Sequence, residues 1–388
     1  MTALLIASLS CVTWVYLLAA RGGFWRAAER DNVVAGTSSE AVSWPRVVAV
    51  VPARDEAEVV AESIGSLLRQ DYRGDFAVIV VDDHSVDGTA AIARNVAAAS
   101  GASDRVIVLA APSLPDEWTG KLWALHHGVR HACCSTEQPD YMLFTDADIC
   151  HDVDTLTQLV RRAVRDRTVL TSLMAKLRCE TLGERAMIPA FIFFFQMLYP
   201  FAWVNRAERH TAAAAGGCML VHRQSLQAAG GMEAIRDELI DDCALARLLK
   251  HHGPIWLGLT ERVHSLRAYP SIREFRCMIT RSAYAQLKFS PRWLAFATLA
   301  MAVTYLAPPA LTVLGSGVSQ FLGALAWAQM TLAFQPTLRF YRVAPWWGLA
   351  LPAIAGLYLM FTLESAWQHL RGTGGEWKGR VHWRISRR

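Results

Sequence analysis

The stretch "YMLFTDADICHD" (residues 141–152) decides how this chain is read. Four apolar or aromatic residues, Tyr141 to Phe144, have the texture of a buried strand. Two carboxylates then follow one residue apart, Asp146 and Asp148. Like charges at the end of a buried strand repel each other unless a cation compensates them. The segment therefore predicts a strand that delivers acidic side chains to something positive.

Similar apolar runs recur upstream. "VVAVV" (47–51) reads as a strand covered on both faces, and Val60, Ile64, Leu67 and Leu68 then share one helical face. "FAVIVV" (76–81) and "RVIVLAA" (105–111) are further strands, separated by the helical "GTAAIARNVAAA". "KLWALHHGV" opens another helix before the strand at 141. This alternation predicts an α/β class with a Rossmann-like, mostly parallel, doubly wound sheet and ligands at the C-terminal ends of its strands.

The bulk composition sets that domain against a membrane. The chain has 388 residues, 53% hydrophobic and 19% charged, with mean hydropathy +0.21. It is too apolar for an ordinary soluble protein and too charged for a pure transporter, so a soluble domain joined to membrane spans fits. The net charge of +5 is spread out and gives no case for nucleic acid. A negatively charged membrane face or a phosphorylated substrate suits it better. None of the eight cysteines forms a C-x-x-C pair, and no histidine cluster has zinc spacing, which reads as reduced thiols facing the cytosol.

Residues 3–20 are uncharged and just long enough to cross a hydrocarbon core. Arg21, Arg26 and Arg30 follow this run and no base precedes it, so the positive-inside rule predicts an anchor with its N-terminus outside and the next domain in the cytoplasm. Residues 294–314, 318–332 and 346–363 are candidate spans, the first bent by Pro308 and Pro309. Three spans would strand the basic tail outside, so one segment is expected to be re-entrant or interfacial. The apolar run 187–204 is expected to rest on the membrane surface, with a span or a buried core helix as the alternatives. The expected division is an anchor (1–22), a catalytic domain (45–290), C-terminal membrane or interfacial helices (291–365) and a basic tail (366–388).

Three acidic motifs follow strands: "PARDE" (52–56), "DDHS" (82–85) and "DAD" (146–148). Each has an ordinary explanation alone, since acids suit helix N-termini. Together, along one edge of a sheet, they call for a cation. Hard oxygen ligands select Mg²⁺ or Mn²⁺, whose shell phosphate oxygens and water usually complete. A divalent metal carrying a diphosphate is the expected object between Asp146 and Asp148.

"VVPARDE", "VVDDHSVDGT", "GKLWALHHG" and "FTDAD", then "AGGCMLVHRQSLQAAGGM" and "ELIDDCALARLLKHHG", appear in that order. Over residues 47–253 the set resembles inverting family-2 glycosyltransferases of GT-A fold. With the anchor, the C-terminal spans and "WKGR" (377–380), the chain is similar to membrane-bound lipid glycosyltransferases, in particular the hopene-associated enzymes of bacteria. The resemblance implies a UDP-sugar donor, a hopanoid or other polyisoprenoid lipid acceptor and the bacterial inner membrane. It implies that Pro52, Ala53, Arg54, Asp55 and Glu56, with Asp82 or, by preference, Asp83, hold uracil and ribose. Lys121 would neutralise donor charge. Asp146 and Asp148 would contact the donor and metal, and Gly216 and Gly217 would leave room for sugar or acceptor. Asp242 would be the catalytic base, beside Asp241 in place of the usual Glu; the alternative is an acid that merely favours its helix.

The pattern departs from the family after the base. "REFRCMITRSAYAQLKFS" (273–290) lacks the Q-x-x-R-W motif of processive synthases, leaving Arg273, Arg276 and Arg281 as candidate cations for the diphosphate. The "WKGR" tail reads either as a basic segment on anionic lipid or as a flap over the donor site. The alternatives to a single-sugar transferase are a processive polysaccharide synthase, a non-catalytic nucleotide-binding membrane protein and a metal phosphohydrolase. The last needs Thr or Val two residues after Asp148, where Cys150 stands.

Overall fold

The computed structural model describes residues 1–32, 44–373, 376–377 and 380–381. In chain order the first elements are α1 (Thr2–Ala19), β1 (Val47–Ala53), α2 (Val60–Leu68), β2 (Phe76–Asp82), α3 (Thr89–Ala99), β3 (Val106–Ala110), α4 (Gly120–Cys134) and β4 (Tyr141–Phe144). Next come β5 (Ile149–His151), α5 (Thr155–Asp166), β6 (Leu170–Lys176), α6 (Leu182–Leu198), α7 (Phe201–Val204), β7 (Met219–His222), α8 (Arg223–Ala228), α9 (Asp241–Lys250) and β8 (Ile255–Ser265). The chain closes with α10 (Ile272–Gln286), α11 (Pro291–Met301), α12 (Ala307–Leu314), α13 (Gly317–Phe340), α14 (Trp347–Leu370) and a ribbon of β9 (Glu376–Trp377) with β10 (Arg380–Val381). These elements form two compact units.

One unit takes residues 29–178 and 203–268 and holds an eight-stranded sheet in the order β3-β2-β1-β4-β7-β6-β8-β5. The strands read from the sequence are its parallel half: β1 pairs in parallel with both β2 and β4, and β2 with β3. Every residue of β1 is buried, which accounts for its unbroken apolar run. The other half brings antiparallel pairs, β4 with β7, β6 with β7 and β5 with β8, beside a parallel β6–β8 pair. The three-residue β5 follows directly on the DAD motif and has no periodicity to reveal it. Helix α4 packs onto β1 and β2 so tightly that a Cβ at Gly128 would lie 2.2 Å from Val50 Cγ1. Only glycine fits there.

The other unit gathers residues 1–28, 179–202 and 269–388. Residues 179–202 and 269–290, inside the segment expected to be catalytic, thus cluster with the terminal helices. Helix α6 begins at a capping box, Thr181 with Glu184, and its Phe193 packs on Phe24 and Phe334 at ring distances of 5.2 Å each. The apolar run at 187–204 is therefore largely internal to this unit.

Pro308 and Pro309 act one turn before their own position. Proline removes the N–H that would bond to a carbonyl four residues back, and the chain passes through a π-helical turn at Ala302–Leu306 between α11 and α12. Two side chains of α1 take up carbonyls there: Ser10 Oγ donates to Val303 O (2.7 Å) and Trp14 Nε1 to Thr304 O (2.8 Å). In hydrocarbon such carbonyls need a donor from a neighbouring helix.

Among the described residues, four segments are long and apolar enough to cross a membrane: Thr2–Ala19, Leu182–Val204, Pro291–Leu314 and Trp347–Leu370. The expected span at 318–332 is a helix, α13, but is not among them. Within the "WKGR" tail, β9 pairs antiparallel with β10, while Lys378, Gly379 and 382–388 lie outside the described residues.

Candidate active site

The site candidates of the sheet unit collect where β1, β2 and β4 end. Past β1, Arg54 Nη1 donates to the carbonyl of Asp83 (2.6 Å) and stands 3.8 Å from its carboxylate, which is fully buried. Asp55 has φ +50, and its amide donates to Ser85 Oγ while Asp55 Oδ1 accepts the Val86 amide, both at 2.9 Å. The Glu56 amide donates to Thr89 Oγ1 (2.9 Å). "PARDE" and "DDHSVDGT" are thereby stitched into one wall. Asp82 and Asp83 differ: Asp83 is sealed inside this wall, whereas Asp82 is half-buried at the end of β2.

Beyond β4, antiparallel pairing sets Phe144 opposite Met219. Continuing that register brings Asp146 level with Gly217. Thr145 fixes the approach by donating from Oγ1 to Gly217 O (2.8 Å). Its single proton is then used, so His151 Nε2, 3.0 Å away, donates to it. Burial holds His151 down to about 3, so it stays neutral and serves as a prop. A Cβ on Gly217 would approach Ile149 Cδ1 to 3.1 Å.

Lys121, in the first turn of α4, is the hub of the acidic cluster. Its Nζ lies 2.8 Å from Asp146 Oδ1 and 3.2 Å from Asp241 Oδ2. Burial works against the ammonium, yet Asp146 and Asp241 outweigh it and hold Lys121 above the ordinary lysine range. Burial raises the Asp146 carboxyl; Lys121 opposes this rise and Asp148 adds to it.

Asp242 sits in the first turn of α9, where the helix dipole favours an anion. Its Oδ2 accepts the Gly216 amide (3.0 Å) and its Oδ1 the Cys243 amide (2.7 Å). Burial first, then the Asp241 charge, push Asp242 up to about 6, against the pull of Lys121 and the two amides. A Cβ at Gly216 would stand 3.1 Å from Lys121 Nζ and 3.5 Å from Asp242 Oδ2. The glycine therefore leaves clear the space between base and cation.

Arg267 belongs to the cluster and was not foreseen. Its Nε donates to Asp148 Oδ2 (2.8 Å) and its Nη2 to Glu56 Oε1 (3.0 Å). The β5–β8 register sets Ile149 opposite Ser265, and the Leu266 amide donates to Asp148 O (2.8 Å), which delivers Arg267 to the motif. A lone arginine just past a strand carries no sequence signal, beyond its place at the same sheet edge.

Arg276 and Arg281 lie on α10, in the helical unit rather than the unit that holds the other candidates. Arg276 Nε donates to both oxygens of Glu364 (2.9 and 2.7 Å), and Arg281 is exposed. Among the described residues, no three His, Cys, Asp or Glu side chains gather to hold a metal. Asp146 and Asp148 offer two oxygen donors, each paired here with a cation, Lys121 or Arg267, so an ion held there would compete with these pairs and draw its remaining ligands from a bound diphosphate and water.

Residues 48–230 match the model of glycosyl transferase family 2. The chain carries a glycosyltransferase family 2 domain. It is a glycosyltransferase by that domain, with the Rossmann-like, mostly parallel sheet of the GT-A fold. The match ends before α9, so Asp242 lies beyond it. Among solved structures, the mannosyltransferase PcManGT from Pyrobaculum calidifontis, in complex with GDP-Man and Mn²⁺, is similar at 18% identity and TM-score 0.54. The similarity covers 91% of this chain and 99% of that one, and it shows the shared fold. Glucosyl-3-phosphoglycerate synthase from Mycobacterium tuberculosis is similar at 21% identity and TM-score 0.39, over 63% of this chain and 79% of that one. TarS from S. aureus follows at 14% identity and TM-score 0.41, over 76% and 54%. No curated protein is similar to the chain at a significant level.

Proposed function

We propose that this glycosyltransferase moves one sugar from a UDP-sugar to a hydroxyl of a lipid, with inversion, using Asp242 as base. The observation that carries this reading is the Asp242 carboxylate itself. It is held by two amides, raised to about 6, and faces the space beside Lys121 that Gly216 leaves clear.

An acceptor hydroxyl is a poor nucleophile until a base takes its proton. Asp242 accepts that proton as the acceptor oxygen bonds to the anomeric carbon. The bond from that carbon to the UDP oxygen breaks on the opposite face, and its electron pair leaves with the diphosphate. A base near pH 6 is basic enough to accept the proton and ionised at neutral pH. The carbon passes through an oxocarbenium-like state, as in glycoside hydrolysis, and one displacement inverts it. Lys121 and Arg267 are the cations of the sheet unit placed to meet the leaving charge. Asp146 and Asp148 would hold Mg²⁺ or Mn²⁺; when bound, that ion would neutralise charge on the departing diphosphate. The "PARDE" wall, with Asp82 at its edge, would receive uracil and ribose, and the sealed Asp83 would brace that wall through Arg54.

The apolar helices support a lipid acceptor and a bacterial inner membrane. Resemblance to the hopene-associated enzymes favours a hopanoid or other polyisoprenoid alcohol. Arg21, Arg26 and Arg30 after α1 favour a cytoplasmic sheet unit. The test is to offer labelled UDP-glucose, UDP-N-acetylglucosamine, UDP-galactose and GDP-mannose, with Mg²⁺ or Mn²⁺ and bacterial lipid extract. Label entering the organic phase with wild type but not with Asp242→Asn supports the reading. A GDP donor would correct its nucleotide, and transfer to a water-soluble acceptor alone would end the lipid reading.

A further inference from the structure

We infer that Ser172 is a positioning residue of this transferase: its hydroxyl fixes Ala215 so that the Gly216 amide is aimed at the base, Asp242. The inference deepens the reading of Asp242 as base and rests on it. All the groups concerned belong to the sheet unit.

Strand β6 reads "LTSLMAK", and every residue from Leu170 to Ala175 is buried. A strand covered on both faces calls for apolar side chains, yet two hydroxyls interrupt this one. Thr171 finds a partner close by in the chain, Thr168 Oγ1 at 2.6 Å. Ser172 is fully buried and bonds instead to a residue 43 positions later, in the stretch beside the base.

The ladder between β6 and β7 ends where Ser172 stands opposite Met219, and the Leu173 amide then donates to Cys218 O (3.0 Å). Just before β7 the chain makes a tight turn. The Cys218 amide donates back to Ala215 O (3.2 Å), with Gly216 and Gly217 at the centre. Ser172 grips the first residue of that turn twice: its Oγ accepts the Ala215 amide (2.9 Å) and donates to the Ala215 carbonyl (3.2 Å). A hydroxyl carries one proton and two lone pairs, so one serine serves both backbone groups. Ala215 is buried, and an alanine at 172 would take the acceptor away from its amide.

The residues around Ala215 are tied to the site one by one. Cys243 Sγ, next to the base, reaches Ala214 O at 3.9 Å. The Gly216 amide donates to Asp242 Oδ2 (3.0 Å), and Thr145 Oγ1 donates to Gly217 O (2.8 Å). Gly216 and Gly217 have no side chains to anchor them, so the direction of the Gly216 amide depends on what holds the residues on either side. Ser172 holds one side and Thr145 the other. A carboxylate that accepts an amide is kept in one orientation and favoured in its ionised form. Losing the aim of this amide would displace Asp242 and make it harder to ionise. Asp241, Lys121 and the Cys243 amide also bear on Asp242, and a change at Ser172 addresses the Gly216 amide among them.

The test uses the full chain in detergent, with labelled UDP-sugar and bacterial lipid extract as in the transfer assay above. Ser172→Ala should lower kcat about tenfold, with the calorimetric affinity for UDP and Mn²⁺ unchanged. It should also move the acidic limb of the rate profile upward by about half a pH unit. Ser172→Cys fills the same space with a weak hydrogen-bonding group and should lose most of the same rate. In an Asp242→Asn background, Ser172→Ala should change the residual rate less than about twofold, because the residue acts through the base. Wild-type kcat and acidic limb in Ser172→Ala, or full activity in Ser172→Cys, overturns the inference. So does a further loss of about tenfold in the double variant. Loss of UDP binding in both single variants also overturns it, since Ser172 would then support the fold rather than aim the amide. Failure of the base reading shows separately, as wild-type turnover in Asp242→Asn alone, and takes this inference with it.

Discussion

Lys121 Nζ lies 2.8 Å from Asp146 Oδ1, so the cation of α4 and the first acid of the DAD motif form one ion pair at the strand ends. The same ammonium reaches Asp241 and bears on Asp242. Replacing it removes the charge that opposes protonation of Asp242. Lys121→Gln should weaken donor binding by about tenfold, and should move the acidic limb of the rate profile upward by about one pH unit. Calorimetry of nucleotide binding and kcat/KM across pH check the two effects separately.

Asp242 supplies the pH dependence. Its folded value is raised to about 6, so it is a carboxylate above that pH and a neutral acid below. Only the carboxylate accepts a proton. Turnover should be flat above about pH 7 and fall about tenfold per unit below 6. Asp242→Asn should lose about 10²- to 10⁴-fold at neutral pH with nucleotide binding little changed. A mutant that keeps the wild-type acidic limb would remove Asp242 from the role of base.

Gly216→Ala tests the space beside the base. The new methyl would press on Lys121 Nζ at 3.1 Å, and a flexible lysine can yield by a few tenths of an ångström. Thermal stability should change little, whereas kcat should fall by about tenfold because the base–cation geometry is displaced. Equal activity in mutant and wild type would show that neither acceptor nor sugar uses this space.

Arg267→Gln removes the guanidinium that joins Asp148 to Glu56. The two carboxylates would then face each other without their shared donor. KM for the nucleotide sugar should rise by about ten- to a hundredfold, and the metal concentration giving half-maximal rate should change with it. Arg267→Lys keeps charge but not the fork, and should recover only part of the loss.

Trp14→Phe addresses the membrane bundle. It keeps an aromatic ring against Tyr305, 5.6 Å away, but loses the donor to Thr304 O. The π-helical turn before Pro308 would lose one partner, costing about 0.5–2 kcal/mol. A lower melting temperature in detergent, with unaltered nucleotide binding, is the expected result.

Continuous apolar runs marked β1, β2 and β4 because a strand covered on both faces needs such residues and few others, while β3, an edge strand mostly half-exposed, was marked by its β-branched run. Each acidic motif was legible for the same reason, as polar residues that interrupt a buried pattern at its end. Gly216, Gly217 and Asp242 were reached through ordered motifs rather than periodicity. The second half of the sheet was not legible: β5 has three residues and β7 four, too short for a period to declare itself. Arg267 was missed because Asp148 lies 119 residues away and only the β5–β8 register brings them together.

The sequence by itself determined an α/β domain with carboxylates at its strand ends and apolar helices at both termini. Those properties follow from the solvent preference of side chains at a strand's or helix's own spacing, which neighbours in the chain carry. Tertiary structure alone decided that Asp242 meets the Gly216 amide and that Arg267 joins Asp148 to Glu56. Such meetings depend on strand register and on which helix faces pack together. Contacts across long stretches of chain set both, and no local pattern encodes them.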